Sequence, residues 1–526
     1  MKKTYLYLPI FLGVFFAAGI LLGHYINDVT NGRYLASNNS SRQKLNRLID
    51  LIKNKYVDDI DTDSIVDATV LGIMQNLDPH SVYIPSDRAE AVHNDMRGDF
   101  VGIGIKFFVN NDTISVTQVF KDGPSDEAGI RSGDKILTAD GRKLYGENGT
   151  DSSILKGKDG TRITLGVLRP GDQELLQIPV TRGKVALRSV DAAYMLSSDL
   201  GYIKVNRFAE NTIEEFDQAI ETVKKAGATS LVLDLRDNPG GILTAATHIA
   251  DEFLQEDKLI LFQKDRNNKR IDSYATDDGD FEDREVYILI NENSASASEI
   301  VAGALQDNDI GIIVGRRSFG KGLVQQEMKL GDGSSVRLTV ARYYTPTGRS
   351  IQRPYDMGKE AYFNEYINRY QNGELIDESN IEVNDSLKRI TPGGKVVYGG
   401  GGIVPDVFVP SPDGYILQTL DYFARTGFAD RFTNMYLQED GAYLFNLSKQ
   451  EFLEEYEVPE PVMENFIQFA QLYNTSIKLP GYRNEISLII KSSIAEQLFG
   501  TQLKIKLINQ EDNMIKKVLQ LHGKSN

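Results

Sequence analysis

The sequence predicts a multidomain α/β protein, and three patterns along it carry that expectation. Residues 96 to 183 read as short alternating strands between glycine-rich turns, and residues 200 to 345 as apolar strands alternating with amphipathic helices. Helical periodicity prevails before 96 and again past about 412. With 526 residues and 41% hydrophobic content the chain can bury several cores, roughly three or four by typical domain size.

The N-terminal element is an apolar run from Tyr5 to Leu22 behind Lys2 and Lys3. It reads as an export signal, and the absence of a small-x-small cleavage site before His24 favours an uncleaved anchor over residues 1–27. By the positive-inside bias the lysines stay cytoplasmic, so the rest of the chain is expected to be exported. The expected location is the inner membrane facing the periplasm, or the periplasm itself if the signal is cleaved. The polar stretch 28–41 reads as a linker. Leu45, Leu48, Ile49, Ile52 and then Ile65, Val66, Val70, Ile73 and Leu77 recur at helical spacing, which predicts a helical module over 42–95. A net charge of -16 without a basic block argues against nucleic acid as a partner. The chain has no cysteine, which excludes disulfides, Cys-ligated zinc, a thiol nucleophile and a lipidated N-terminal cysteine. No cofactor and no metal is expected of the chemistry; a homo-oligomer is left open.

Strands are expected at FVGIGI (100–105), TISVTQV (113–119) and RITLGVL (162–168). Between the second and third of these runs Asp122 to Leu144, DGPSDEAGIRSGDKILTADGRKL, resembles a PDZ domain of the bacterial, protease-associated kind. That resemblance implies that Ala128 and Ile130 pack inward. It also implies that the backbone of Val101, Gly102, Ile103, Gly104 and Ile105 offers N–H donors to a peptide carboxylate while the neighbouring strand edge pairs with the peptide. An ordinary β-rich domain without a ligand is the alternative.

In the α/β segment GYIKV, SLVLDL (230–235), EVYILI (285–290) and GIIVG (311–315) read as strands. Residues 212–225, a stretch from about 243, and 295–306 read as helices. Three stretches stand out there: DLRDNPGG (234–241), NENSASASEI (291–300) and GRRSFGKGLVQQ (315–326). The paired glycines let backbone N–H groups approach a ligand closely. The serines lie where a strand gives way to a helix, exposed near the positive end of its dipole. Nucleophilic serine needs a base, and the five histidines serve poorly: His24 lies at the membrane, His522 in the tail, His80 and His93 in or beside the N-terminal module, and His248 reads as a structural imidazole. Lys321, between glycines and bordered by apolar strands, can serve instead if burial lowers its pKa.

These three motifs, in this order, resemble the carboxyl-terminal processing (tail-specific) proteases, a Ser/Lys peptidase family, and the resemblance runs from the DPHS stretch at 78 to about residue 410. It implies a crotonase-like spiral of strand-strand-helix units over 184–411. It further implies a serine endopeptidase acting on protein substrates with apolar C-termini, with Ser296 as nucleophile, Lys321 as base and Gln325 holding the lysine. The oxyanion hole would be the amide of Ala297 with a glycine of the NPGG turn, Gly241 in preference to Gly240. Ser294 and Ser298 remain alternative nucleophiles or helix caps. Asp307 reads as a structural salt bridge or cap rather than a catalytic group, and Arg236 and Asn238 as residues that shape the turn. The chain departs from the family over Arg353–Tyr398, an insertion expected to stay clear of the catalytic pair. Residues 412–526 read as helical, with Ser448 and Glu451 as a capping box.

Two other readings compete. Gly315 to Lys321 fits a phosphate loop, but Gly322 stands where such a loop needs Ser or Thr, and LVQQEMKL reads as a strand rather than a helix. An exported PDZ adaptor with a degenerate protease core would require that the nucleophile and base be missing, and both are present.

Overall fold

The computed structural model describes residues 40–110, 113–145, 152–282, 284–412, 426–473 and 481–525, with Gly19, Thr419, Tyr422 and Phe423. Apart from Gly19, the expected anchor falls outside these residues. Among the described residues no helix is long and apolar enough to cross a membrane.

The chain divides into two compact units at Asn76/Leu77. The first contains helices α1 (Ser40–Lys55) and α2 (Thr62–Gln75), the latter started by Asp61, whose side chain accepts from Asp63 N–H at 3.0 Å. The division comes earlier than the helical module read from the sequence. The DPHS stretch belongs to the second unit, where strand β1 (Val82–Ile84) and helix α3 (Ser86–Arg97) follow it.

In the second unit, β2 (Asp99–Gly102) and β3 (Ile105–Asn110) split the FVGIGI run in two. They are followed by β4 (Thr113–Val119), the one-turn helix α4 (Pro124–Glu127), β5 (Lys135–Ala139), β6 (Arg142–Lys143), β7 (Arg162–Leu168), β8 (Leu176–Thr181) and β9 (Gly183–Ala186). The sheet runs β3-β4-β5-β7-β8 and leaves β3 at its edge. Ile114, Val116, Ile130, Ile136, Leu165 and Val167 form its core, with Ala128 packed against them.

The central α/β layer is a sheet in the order β10-β11-β12-β15-β16-β21, built from β10 (Val190–Met195), β11 (Leu200–Val205), β12 (Ser230–Asp234), β15 (Val286–Ile290), β16 (Gly311–Gly315) and β21 (Val407–Phe408). All pairs but β10·β11 are parallel. Its helices are α5 (Thr212–Lys225), α6 (Leu243–Asp251) and α7 (Ala297–Asp307). Ile203, Leu231, Leu233, Ile288 and Ile313 face these helices; Tyr202, Val232, Tyr287, Leu289 and Val314 line the other face. Burial on both faces explains why SLVLD and VYILI read as unbroken apolar runs rather than alternating ones. Phe216, Ala219, Ile220 and Val223 form the buried stripe of α5 at helical spacing.

A second, antiparallel sheet joins β1, β13 (Leu259–Asp265), β14 (Arg270–Tyr274), β17 (Leu323–Lys329) and β18 (Ser335–Tyr344). The pairing of β1 with β18, Val82 opposite Arg337, brings the DPHS stretch onto the same sheet as β17. The inserted segment forms α8 (Lys359–Gln371) and a small hairpin of β19 (Lys388–Ile390) and β20 (Val396–Tyr398).

The C-terminal region forms α9 (Phe428–Leu437), α10 (Lys449–Glu455), α11 (Glu460–Tyr473), α12 (Arg483–Phe499), α13 (Thr501–Glu511) and α14 (Asn513–Ser525). The capping box read from the sequence starts α10, with Ser448 N–H donating to Glu451 Oε2 at 2.7 Å and Glu451 N–H to Ser448 Oγ at 3.2 Å. Met514, Ile515 and Val518 of α14 cover the second face of the central sheet.

Candidate active site

Ser296 occupies the junction between β15 and α7 and adopts φ 55°, ψ -110°. A side chain with a Cβ rarely takes a positive φ, and holding one there costs on the order of 1–3 kcal/mol, so the surroundings must over-determine it. They do. Ser296 N–H donates to Glu299 Oε2 at 2.8 Å, Ala295 N–H to Asn238 O at 3.0 Å, and the Tyr343 hydroxyl lies 3.2 Å from Ser296 O.

The neighbouring serines are tied down. Ser294 Oγ donates to Leu235 O at 2.8 Å and accepts from Asn291 N–H at 2.9 Å, and Ser298 Oγ donates to Asn238 O at 3.0 Å. Both are fully buried, whereas Ser296 is half-buried. Of the three, Ser296 alone combines access with the strained junction.

The loop Gly315–Gly322 brings Lys321 to the same place. One carboxylate holds Ser296 and Lys321 together: Glu299, fully buried, accepts from Ser318 Oγ (2.5 Å) and Gly320 N–H (2.7 Å) on Oε1, and from Lys321 N–H (2.9 Å) and Ser296 N–H on Oε2. Tyr343 OH, 2.9 Å from Lys321 O, adds a second link. Lys321 Nζ donates to Gln325 Oε1 at 2.9 Å and makes no hydrogen bond to Ser296. Burial pulls the ammonium below the ordinary lysine range; Arg337 adds to this, while Glu299 and Asp78 oppose it.

Gln325 is itself anchored, because its amide donates to the carbonyl of His80. That carbonyl is presented by a tight turn in which Asp78 accepts from His80 N–H (2.9 Å), Ser81 N–H (3.0 Å) and Ser81 Oγ (2.5 Å). His80 Nε2 lies 2.8 Å from Tyr362 OH, and burial followed by the charge of Lys321 pushes the imidazole down to about 4. His80 is therefore a neutral ring beside the lysine and not a remote member of the helical module. Neither it nor Glu299 and Tyr343 was singled out from the sequence. Glu299 had a signal, an acid three residues into a helix that starts at serine, whereas Tyr343 and His80 reach the site only through the β1·β18 and β17·β18 pairings.

The NPGG turn faces Ser296. Asn238 holds it, donating to Val205 O at 2.9 Å and accepting from Gly240 N–H at 2.9 Å. A methyl on Gly240 would lie 2.8 Å from Ala297 N, and one on Gly241 2.0 Å from Phe208 O, so both positions demand glycine. Gly240 N–H is spent on Asn238, whereas those of Gly241 and Ala297 donate to no acceptor among the described residues. Arg236 lies outside this turn, paired with Asp234 (2.7 Å) and Asp512 (2.6 Å).

Asp307 lies at the far end of α7, about 16 Å from Ser296 at 1.5 Å rise per residue. There it binds the buried Arg349 at 2.7 Å and the half-buried Thr347 Oγ1 at 2.6 Å. The inserted segment contacts the loop beside the site, with no hydrogen bond or ion pair to Ser296 or Lys321 among the described residues. Arg353 donates its N–H to Gly320 O at 3.0 Å and stacks over Phe319 and Tyr362, Arg369 donates to Ser318 O at 2.7 Å, and Glu374 pairs with Arg317 at 2.6 Å. The insertion therefore grips the loop that carries Lys321.

In the β-rich domain, Ile103 and Gly104 form the loop between β2 and β3. Their carbonyls accept from Ser125 and Phe120, and their N–H groups donate to no acceptor among the described residues. Val101 and Gly102 are engaged with β9, and Ile105 opens the edge strand.

Sequence comparisons fit this layout. Residues 199–357 match the model of peptidase family S41, residues 101–180 that of a PDZ domain, and residues 25–88 that of the activating protease CtpB N-terminal domain. A carboxy-terminal-processing protease of Bartonella bacilliformis is 35% identical over 351 residues, 64% of this chain and 80% of the relative. A probable CtpA-like serine protease of Staphylococcus haemolyticus is 32% identical over 66% of this chain and 71% of its own. Among solved structures, a photosystem II D1 C-terminal processing protease aligns over 71% of this chain and 87% of its own, with 26% identity and a TM-score of 0.36, at which overall superposition decides nothing. By its motifs and by the extent of its identity to these relatives, the chain belongs to peptidase family S41, as a carboxy-terminal-processing serine protease with a PDZ domain.

Proposed function

We propose that the chain is an exported, membrane-anchored endopeptidase that cuts protein substrates with a Ser296/Lys321 dyad and selects them by apolar C-terminal tails. The observation that carries this reading is the shared carboxylate: Glu299 Oε2 accepts from the backbone of both Ser296 and Lys321 while Lys321 Nζ is steadied by Gln325. In the reaction, neutral Lys321 takes the proton of Ser296 Oγ as the oxygen attacks the scissile carbonyl. The N–H groups of Ala297 and Gly241 receive the developing oxyanion. The lysine ammonium then protonates the leaving amine, and water admitted to the acyl-enzyme is deprotonated by Lys321 in turn to release the new C-terminus. The hydrogen bond between Ser296 and Lys321 closes in the Michaelis complex, as catalytic hydrogen bonds commonly do.

The loop Val101–Ile105, with unspent donors on Ile103 and Gly104 and the open edge of β3 beside it, suits a terminal carboxylate followed by a paired peptide strand. Export and anchoring rest on the apolar run behind Lys2 and Lys3. A fluorophosphonate probe mapped by peptide mass spectrometry tests the nucleophile. Labelling at Ser296, lost in Ser296→Ala, is expected, and labelling at Ser294 or Ser298, or none, contradicts the assignment.

A further inference from the structure

Two helices of the central α/β layer carry a second group of ligating side chains that hydrolysis leaves unused. His248 and Glu252 stand one turn apart at the end of α6 and project from one face, and Asp217 meets them from α5. His248 Nε2 lies 2.7 Å from Asp217 Oδ1 and 3.9 Å from Glu252 Oε1, and one donor atom from each residue lies within 4.8 Å of the others. Around an ion bound at about 2.0–2.2 Å, neighbouring ligand atoms sit roughly 3–3.5 Å apart, a value these separations bracket.

The close ion pair joins Asp217 to His248, and Glu252 meets the same imidazole nitrogen only at 3.9 Å. Glu252 is 9% exposed, and its Oε2 accepts from Asp280 N–H at 3.0 Å. Its Oε1, turned to the imidazole, accepts no hydrogen bond among the described residues. Glu252 Oε1 is thus turned toward the imidazole at 3.9 Å, beyond hydrogen-bond reach, with its partner oxygen fixed as an outer hydrogen bond fixes a metal ligand. Glu210, Glu214, Glu221 and Asp280 border the adjoining cavity and add negative field, while Lys224 is engaged with Asp280 at 2.5 Å.

We propose that Asp217, His248 and Glu252 form a site for a divalent transition-metal cation of the zinc class, one imidazole nitrogen and two carboxylate oxygens from the protein with water at the open positions. The ion does not take part in hydrolysis. It ties α5 to α6, and α6 starts directly after the Gly240–Gly241 turn that faces Ser296, so its effect is to stabilise the layer that holds the oxyanion donors.

The test uses the full-length protein, stripped with a chelator, dialysed, and titrated with zinc chloride by calorimetry, with magnesium chloride in parallel and thermal unfolding followed with and without zinc. The wild type is expected to bind one zinc, more tightly than magnesium, with a raised Tm. Asp217→Asn and His248→Gln each weaken zinc at least about tenfold and abolish the Tm shift. Should His248→Gln fail to fold, the exposed Asp217 still carries the comparison. No stoichiometric zinc binding, equal affinity in wild type and Asp217→Asn, or magnesium bound as tightly as zinc would overturn the proposal.

Discussion

At the scale of single residues, the site is organised around one buried carboxylate more than around the dyad itself. Glu299 accepts four hydrogen bonds, and burial pushes its carboxyl up while those donors, Ser318 first among them, pull it back. Replacing it by Gln turns an amide against two of the donors, so Glu299→Gln is expected to cost about 2–4 kcal/mol of stability and to remove activity; an equilibrium denaturant titration with unchanged midpoint would contradict this. The residues that act on substrate in the proposed mechanism were legible in the sequence because each sits in a motif with a mechanical reason: paired glycines, a serine at a strand-to-helix junction, a lysine between glycines. Glu299 carried a weaker signal, and Tyr343 and His80 none, because their roles arise from strand pairing across long sequence separations.

At the scale of elements, the lysine is positioned by a relay that begins outside the family's three motifs. Asp78 closes the turn, the turn presents the His80 carbonyl, that carbonyl holds Gln325, and Gln325 holds Lys321 Nζ. Asp78→Ala is expected to lower kcat roughly ten- to hundredfold with KM little changed, since it disturbs the base and not the peptide groove. A rise in KM at constant kcat would place Asp78 in substrate binding instead. The strands and helices of the α/β segment were readable because double burial and the 3.6-residue stripe leave plain patterns, as in SLVLD and α5. The path of the insertion was not, since nothing in KEAYFNEYINRY announces that Arg353, Tyr362 and Arg369 turn back onto the loop of Lys321.

At the scale of the whole chain, the C-terminal helices are part of the catalytic machinery's support. They cover one face of the central sheet through Met514, Ile515 and Val518, and Asp512 pairs with Arg236 beside the NPGG turn. They also touch the PDZ sheet: Asn434 donates to Val116 O at 3.4 Å and Phe445 packs against Gly133. The periodicity of residues past 412 announced helices but not what they cover, since an apolar stripe does not name its partner. If the PDZ domain selects substrates, one unfolded substrate should be cut fastest with an apolar tail, and more slowly with the same tail ending in Asp-Asp or in a C-terminal amide. The discrimination should be on the order of 1–3 kcal/mol for each recognised group. Equal cleavage rates would reduce the domain to a spacer.

If a neutral lysine is the base, the pH dependence of kcat/KM for an unfolded protein substrate reports its ionisation. A base must be unprotonated, so activity should rise with pH through the pKa of Lys321, which burial sets below the ordinary lysine value of about 10.4. His80, already neutral above about 4, contributes no limb near neutrality. A single rising limb is expected in the wild type, and it disappears in Lys321→Ala together with nearly all the activity. A limb near pH 6.5 that survives in Lys321→Ala would identify an imidazole base and contradict it.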